Sequence, residues 1–438
     1  MADQRDLLKR LFNAFKPFEP LKPDSPVYVD CREVRGDGDV IQDLATNIEF
    51  SDNNTCQLYA GHRGAGKSTE LLRLKKHLED NGYFVVYFAA DEKDINLEDT
   101  EYADILLACT RNLLEQLKQA NPKPLLDWLR YRWEDLKDLA NTEISLESLA
   151  VESQISQYAK ITANIRAEPT LRRKIREKVN PYTESLIEGI NAFIRDATNK
   201  LGSGSKLVMI ADSLDRITPN VQPDGRSNHD EIFIDRSAQL KGLDCHTIYT
   251  IPISMVYSNQ APNLKIEYDE PQVLPMIMVE TPEGEVYELG VAKMREIIDR
   301  RVKGIKSDLS LETELFESRE VLDKVCLMSG GHVRDLMFLM QSVIKRCDDE
   351  LPISARVVQR AITEARLSYR RSVQAEEWQV LVDVFRSKNV LNNQQYRGLL
   401  FNRCLLEYIY FDEEGEKKTW YDVHPLIKGI QNFKDMVR

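Results

Sequence analysis

The chain of 438 residues contains no uncharged apolar run of 18 residues, so no membrane-spanning helix is expected. Its first residues (MADQRDLLKRLF) are charged and amphipathic and lack an apolar signal core, which makes a cytoplasmic location the expectation. The seven cysteines (Cys31, Cys56, Cys109, Cys245, Cys326, Cys347 and Cys404) include no C-x-x-C pair. An odd, scattered set argues against a disulfide or zinc framework and reads as reduced thiols. The six histidines show no H-E-x-x-H or other metal spacing. No Ser/His/Asp or Cys/His nucleophile pattern stands out, and no nuclease, protease or NAD-consuming module is visible in the sequence. Basic charge is in deficit: 59 Lys plus Arg stand against 71 Asp plus Glu, for a formal net charge of -12. That argues against a surface that coats nucleic acid as a whole and leaves room for a local basic patch.

Hydrophobic residues make up 42% of the chain and charged residues 30%, which supports a sizeable core and argues against wholesale disorder. The length allows two or three domains. Residues 1–25 read as a short amphipathic helix and a linker broken by Pro17, Pro20 and Pro23. Residues 26–290 carry the pattern of an α/β core. Within it, residues 55–60 (TCQLYA) form a short apolar strand, and residues 69–81 form a helix with Leu71, Leu72, Leu74 and Leu78 on one face and Gly82 just beyond its end. Residues 83–90 (YFVVYFAA) are apolar throughout, the mark of a strand buried on both faces of a parallel sheet.

Residues 100–200 change character. Leu, Glu, Lys and Arg recur at helical spacing with few glycines, which predicts a helical insertion. Its most basic stretch, residues 171–178 (LRRKIREK), reads either as a solvated helix face or as a contact for nucleic acid or an acidic partner. A Gly/Ser linker at 202–205 leads into strands expected at 207–211, 246–256 and 273–280. Strands that alternate with helices predict a parallel α/β sheet. Residues 291–368 return to helical periodicity and form an expected lid. Residues 369–438 read as helices near 378–385 and 393–402, then a hairpin at 405–422 that turns at Asp412-Glu413-Glu414-Gly415. Helices followed by a two-stranded wing predict a winged-helix-like domain.

The most specific motif is Gly61-His62-Arg63-Gly64-Ala65-Gly66-Lys67-Ser68, which fits the Walker A pattern G-x-x-x-x-G-K-[ST] and runs on into Thr69. Glycines let the loop turn its backbone N–H groups inward on phosphates, and the helix that follows adds the partial positive charge of its N-terminus. Lys67 is placed to reach the β- and γ-phosphates, and Ser68 to put its hydroxyl on Mg²⁺. The expected ligand is ATP with magnesium. The run Leu207-Val208-Met209-Ile210-Ala211 carries Asp212 to the carboxyl edge of the sheet, the position of a Walker B acid that holds Mg²⁺ through water. An acid at that place also serves as a helix N-cap. The next residue is Ser213, where many ATPases carry a glutamate that polarises the attacking water. Asp215 is the nearest spare carboxylate; it either orients that water or makes a local salt bridge with Arg216.

Taken together, GHRGAGKSTEL, LVMIADSLDRI, HTIYTIPIS and SGGHVRDL, in this order, resemble a AAA+/STAND-type P-loop ATPase. The branch is that of origin-recognition ATPases and bacterial NACHT-like and KAP-like proteins, and the resemblance covers roughly residues 25–350. It implies further roles. Thr250, or else Ser254, is the sensor-1 residue at a strand tip. Arg334, after Gly330-Gly331-His332-Val333, is the sensor-2 arginine of the lid, or else a surface charge. Arg236 supplies an arginine finger to a neighbouring subunit, or else only a salt bridge. Tyr28 and Arg35 lie where relatives contact ribose and base, and Arg300 and Arg301 stay unassigned. A lone His424 reads as a packed structural group.

The resemblance implies an ATP-driven switch, with slow hydrolysis, that couples nucleotide state to self-assembly or to an effector partner, in a setting such as bacterial antiviral defence. The alternative is an initiator- or loader-like ATPase that reads DNA through Arg397, Arg403, Lys417 and Lys418 of the C-terminal domain.

Overall fold

The computed structural model describes residues 2–136, 151–202, 206–221, 226–348, 350–391 and 394–438. Its centre is a five-stranded parallel sheet: β1 (Cys56–Gly61), β2 (Phe84–Ala89), β3 (Leu207–Asp212), β4 (His246–Thr250) and β5 (Gln272–Leu274), in the spatial order β2-β3-β4-β1-β5. Every residue of β3 and β4 is buried; β3 is apolar without alternation up to Asp212, while β4 also buries the polar His246, Thr247 and Thr250. Ala89 pairs with Asp212, and Ala211 pairs with Tyr249 next to Thr250, so β2, β3 and β4 all end at one edge.

Two expected strands are shorter than the sequence pattern suggests, and proline is the reason in both. The strand expected over 246–256 stops at Thr250. Pro252 has no N–H to continue the ladder, and Ile253–Val256 turn into a short helix. The strand expected over 273–280 pairs only over Gln272–Leu274, before Pro275. Beyond it the chain stays buried but bonds elsewhere. The Met276 N–H donates to Glu407 O (3.1 Å) and the Met278 N–H to Val34 O (2.9 Å).

Helices of eight or more residues are numbered. On one face of the sheet lie α2 (Val40–Phe50) and α3 (Lys67–Asp80). Leu44, Ile48, Leu71, Leu74 and Leu78 pack there on Tyr59, Val208, Ile210 and Ile248. The other face is covered by α4 (Tyr102–Gln116), α5 (Lys123–Leu136), α6 (Val151–Ala167), α7 (Pro169–Val179) and α8 (Thr183–Leu201). Much of what reads as an insertion is therefore structural cover: residues 102–114 of α4 are all buried, in one core with Leu58, Val86, Met209 and Tyr249. The basic stretch on α7 divides. Arg172 and Arg176 turn inward, Arg172 onto Asp99 (2.8 Å) and Arg176 onto Asp99 (2.8 Å), Glu101 (3.1 Å) and Asp104 (2.5 Å). Arg173, Lys174 and Lys178 face solvent or lie near it. Of the expected Gly/Ser linker, residues 203–205 lie outside the described residues.

After a helix α9 (Ala261–Tyr268), four helices form a second body: α10 (Glu288–Lys303), α11 (Arg319–Met328), α12 (Val333–Lys345) and α13 (Ala355–Ser372). The N-terminal α1 (Ala2–Ala14) packs on this body through Leu8 and Leu11, with Phe15 just beyond its end. Next come α14 (Glu377–Ser387), α15 (Gln394–Phe401) and an antiparallel hairpin of β6 (Leu405–Phe411) and β7 (Lys417–Val423). The hairpin is not a free wing. Leu406, Tyr408 and Trp420 sit in the same core as α2, α3 and the sheet, and the Tyr408 hydroxyl donates to Gly330 O (2.8 Å). Among the described residues no helix is long and apolar enough to cross a membrane.

Candidate nucleotide site

The glycine loop joins the end of β1 to the start of α3 at the carboxyl edge of the sheet. Gly64 (φ 96°) and Gly66 (φ 115°) adopt the left-handed backbone that favours glycine, and a Cβ on Gly64 would lie 2.8 Å from Arg334 Cβ. Lys67 opens α3 and is buried. Its Nζ donates to Gly61 O (2.7 Å) and His62 O (3.0 Å) and pairs with Asp215 Oδ2 (2.8 Å).

Asp212 ends β3, which β4 separates from β1 and its loop. Its Oδ2 accepts from the Tyr87 hydroxyl (2.7 Å) and its Oδ1 from the Ser213 N–H (2.6 Å). Burial and the nearby Asp215 raise its pKa, against the downward pull of hydrogen bonds from Ser68, Tyr87 and Ser213. Tyr87 itself is raised, first by burial and then by Asp212. Ser213 sits at φ 68°, ψ 8°, a left-handed conformation that is unfavourable for a residue with a Cβ. The Leu214 N–H after it donates to Thr250 Oγ1 (3.0 Å), so the expected sensor threonine braces this turn. Ser254 is buried on the short helix that follows β4. Arg216 makes an ion pair with Asp91 at the end of β2.

Gly64, Gly66, Asp91 and Ser213 line one cavity of about 490 Å³, whereas Thr250 and Ser254 do not. Lys67, Ser68, Tyr87, Asp212, Asp215 and Arg216 stand at one part of its wall. Pro17, Phe18, Leu21, Val27, Ile297 and Met337 provide an apolar part. Arg334 also lines it. Its Nε donates to Pro17 O (3.1 Å), its guanidinium lies over the Phe18 ring (5.4 Å), and burial lowers its pKa. Tyr28 and Arg35 line it too. Arg35 donates to Pro275 O (2.6 Å) and Ala65 O (2.7 Å) and so braces the loop, while Tyr28 bonds Glu70 (3.2 Å) under the Arg73 guanidinium. Thr69 Oγ1 accepts from the Leu21 N–H (3.1 Å) and ties the N-terminal segment to α3. Arg236 is elsewhere: it is exposed, lies over the Tyr102 ring (4.9 Å) and does not line the cavity. Arg300 is also turned away, donating to Tyr28 O and pairing with Glu296 (2.5 Å), whereas Arg301 is buried and lines the cavity.

The arrangement fits a phosphate chain: glycine-turned backbone, a helix start, one buried ammonium and several guanidinium groups, Arg216 and Arg334 among them. A magnesium ion would find hard oxygen donors in Ser68 and Asp212. Among the described residues no cluster of three or more His, Cys, Asp or Glu could hold a metal alone, so the remaining ligands would be phosphate oxygens and water, as Mg²⁺ prefers. A glycine loop between the first parallel strand and its helix, with the acid at the tip of β3 and β4 inserted between the two strands, decides the fold. The fold is that of a P-loop NTPase.

No protein-family model matches the chain, and no curated protein matches it. Among solved structures it is similar to a Walker-type ATPase of Pyrococcus abyssi (12% identity, 94% of this chain and 98% of that one, TM-score 0.46). It is also similar to the ORC2 protein of Aeropyrum pernix, solved as ADPNP–ADP complexes (9% identity, 97% of each chain, TM-score 0.44). A third is Cdc6p from Pyrobaculum aerophilum (12% identity, 97% of each chain, TM-score 0.38).

The P-loop is held from its far side by the C-terminal half, a feature that the motif does not show. The buried His62 accepts at Nε2 from the Glu407 N–H of β6 (3.1 Å). Arg63 Nη2 donates to Phe401 O (3.1 Å) and its guanidinium covers the Phe401 ring (4.1 Å). His332 donates from Nε2 to Arg63 O (2.9 Å) and accepts at Nδ1 from the Asp335 N–H (3.1 Å). The Arg334 N–H donates to Gly64 O (3.2 Å). Behind His332, the Asp335 carboxylate takes the Tyr369 hydroxyl (2.7 Å), His424 Nε2 (3.1 Å) and Arg403 (3.3 Å). Although burial opposes it, this company holds Asp335 well below the usual carboxylate range. Burial pushes the His62, His332 and His424 pKa values down, against an upward pull from Asp335 on His332 and His424. His424 is thus the packed structural group that its context suggests, while His62 and His332 had no sequence signal beyond their neighbours.

Proposed function

We propose that this chain is an ATP-binding switch ATPase of the AAA+/STAND kind, whose C-terminal half senses the state of the P-loop. One observation carries the reading: four contacts join the P-loop residues His62, Arg63 and Gly64 to the lid, α15 and the hairpin, through His332, Arg334, Phe401 and Glu407. A phosphate chain that resets the loop backbone must act on these contacts, and so on the C-terminal half.

In this reading the loop N–H groups and Lys67 hold the β- and γ-phosphates, and Ser68 and Asp212 hold Mg²⁺. Bound magnesium would neutralise phosphate charge as it accumulates on hydrolysis. Tyr87 fixes the Asp212 carboxylate, Thr250 fixes the turn after it, and Arg334 faces the phosphates from the lid. Ser213 in place of a glutamate supports slow turnover. The domains proposed are the core at 26–290, the lid at 291–368 and a winged-helix-like unit at 369–438. The output is proposed to be self-assembly or binding of an effector protein, with the antiviral setting of similar bacterial proteins as its context.

The DNA-reading alternative needs the polar face of α15. In this state Arg397 donates to Asn259 (2.6 Å), Arg403 is turned onto Asp335, and Lys418 pairs with Asp412 (3.2 Å) and Glu416. Those partners favour the switch. Light scattering tests it: native chain with ATP–Mg²⁺ is expected to gain mass, and Lys67→Ala is expected not to. Equal mass in all samples would refute the assembly role.

A further inference from the structure

An ammonium group has three N–H donors, and three acceptors surround Lys67 Nζ: Gly61 O at 2.7 Å, His62 O at 3.0 Å and Asp215 Oδ2 at 2.8 Å. The Lys67 and Asp215 side chains are only 4% and 5% exposed. Two of the Lys67 protons are thus given to loop carbonyls and its charge is paired with Asp215, so an anion that binds Lys67 competes with that carboxylate. The two carbonyls belong to the loop itself. Asp215 is the only anion of the three, and a carboxylate oxygen at this distance is the chemical counterpart of a terminal phosphate oxygen. We infer that Asp215 is a built-in stand-in for phosphate, which the incoming nucleotide displaces from Lys67. The inference rests on the nucleotide reading of this cavity.

Three further observations support it. Asp215 lies on a single turn, Leu214–Arg216, rather than on a strand, so a small swing moves it. The swing is opposed by two braces outside the P-loop, Leu214 on Thr250 and Arg216 on Asp91. The turn is entered through the left-handed Ser213, a strained residue that relaxes if the turn moves. Besides Lys67, Arg63 and Arg334 sense Asp215, which raises their guanidinium pKa values against their burial, so an anion that takes its place meets positive charge.

Entry is thus an exchange of one ionic contact for another, carboxylate for phosphate, with no bond made or broken. It makes the release of Asp215 conditional on a bound triphosphate. The freed carboxylate still belongs to the cavity wall, and in this proposal it inhibits the empty site and positions water in the filled one.

Nucleotide affinity measured without Mg²⁺, by fluorescence anisotropy of a labelled ATP, separates this from a merely structural ion pair. Asp215→Asn keeps the shape and removes the competing charge. It is expected to bind at least tenfold more tightly than the native chain while releasing phosphate at least tenfold more slowly with Mg²⁺. Unchanged or weaker binding by Asp215→Asn overturns the inference. If the native chain binds no nucleotide, the underlying reading of the cavity fails, and this inference with it. Should Asp215→Asn not fold, a structure of the native chain with a non-hydrolysable ATP analogue decides. Lys67 and Asp215 are expected to lie beyond ion-pair distance, and a pair still at 2.8 Å overturns the inference.

Discussion

At the scale of single residues, the candidate site is a set of charges held in place by neutral neighbours. Tyr87 is the clearest case. Its hydroxyl bonds Asp212 at 2.7 Å and carries no charge of its own. Groups that hold a metal ligand typically change metal affinity by about 10–100-fold when removed. Tyr87→Phe is expected to raise the Mg²⁺ concentration for half-maximal phosphate release about tenfold, with ATP affinity in the absence of metal little changed. A Mg²⁺ titration of both chains checks this, and superimposable curves would remove Tyr87 from the site. Lys67, Ser68 and Asp212 were legible in the sequence because glycine spacing and an apolar run have few other causes. Tyr87 was not, because an aromatic residue in a buried strand reads as core. The partner of Arg176 was hidden for another reason: Asp99 lies 77 residues away along the chain, so a basic run gave no sign that half of it turns inward.

At the scale of elements, the hairpin of β6 and β7 shows how local pattern and tertiary docking divide. The turn at Asp412–Gly415 made the two strands legible. What they pack on was not, because the contact between Glu407 and His62 spans 345 residues. The same limit explains β5: residues 276–279 are apolar enough for a strand, but Pro275 ends the ladder and the backbone bonds the hairpin and Val34 instead. Docking also buries the Glu407 carboxyl, which is pushed from 4.5 up to about 7. A folded-state pKa above the unfolded one means that the folded chain holds the proton more tightly. Glu407 therefore favours the docked state fully below about pH 4.5, and that contribution is lost as pH rises to about 7. The total is on the order of 3 kcal/mol. Glu407→Gln, which stays neutral, is expected to gain stability over the native chain between pH 5 and pH 7, with a constant difference above about pH 7.5. Urea unfolding of both chains across that range checks it, and a difference that does not change with pH would show that Glu407 is not the group responsible. The buried histidines act in the opposite direction in both chains and so cancel from the difference.

At the scale of the whole molecule, the structure joins a P-loop to elements that close the chain's other end. Parallel α/β architecture was legible from strand and helix alternation. The coupling was not, because it depends on backbone carbonyls of the P-loop and on histidines whose partners come from three separate stretches of chain. Arg63, Gly64, His332 and Glu407 form that joint, and its response to nucleotide is the central claim. Hydrogen exchange of the backbone over residues 401–424, with and without ATP–Mg²⁺, tests it most directly. The account predicts at least a tenfold change in exchange rate for amides of β6 on adding nucleotide, and no change in Lys67→Ala. Identical exchange in the native chain with and without bound ATP would contradict it.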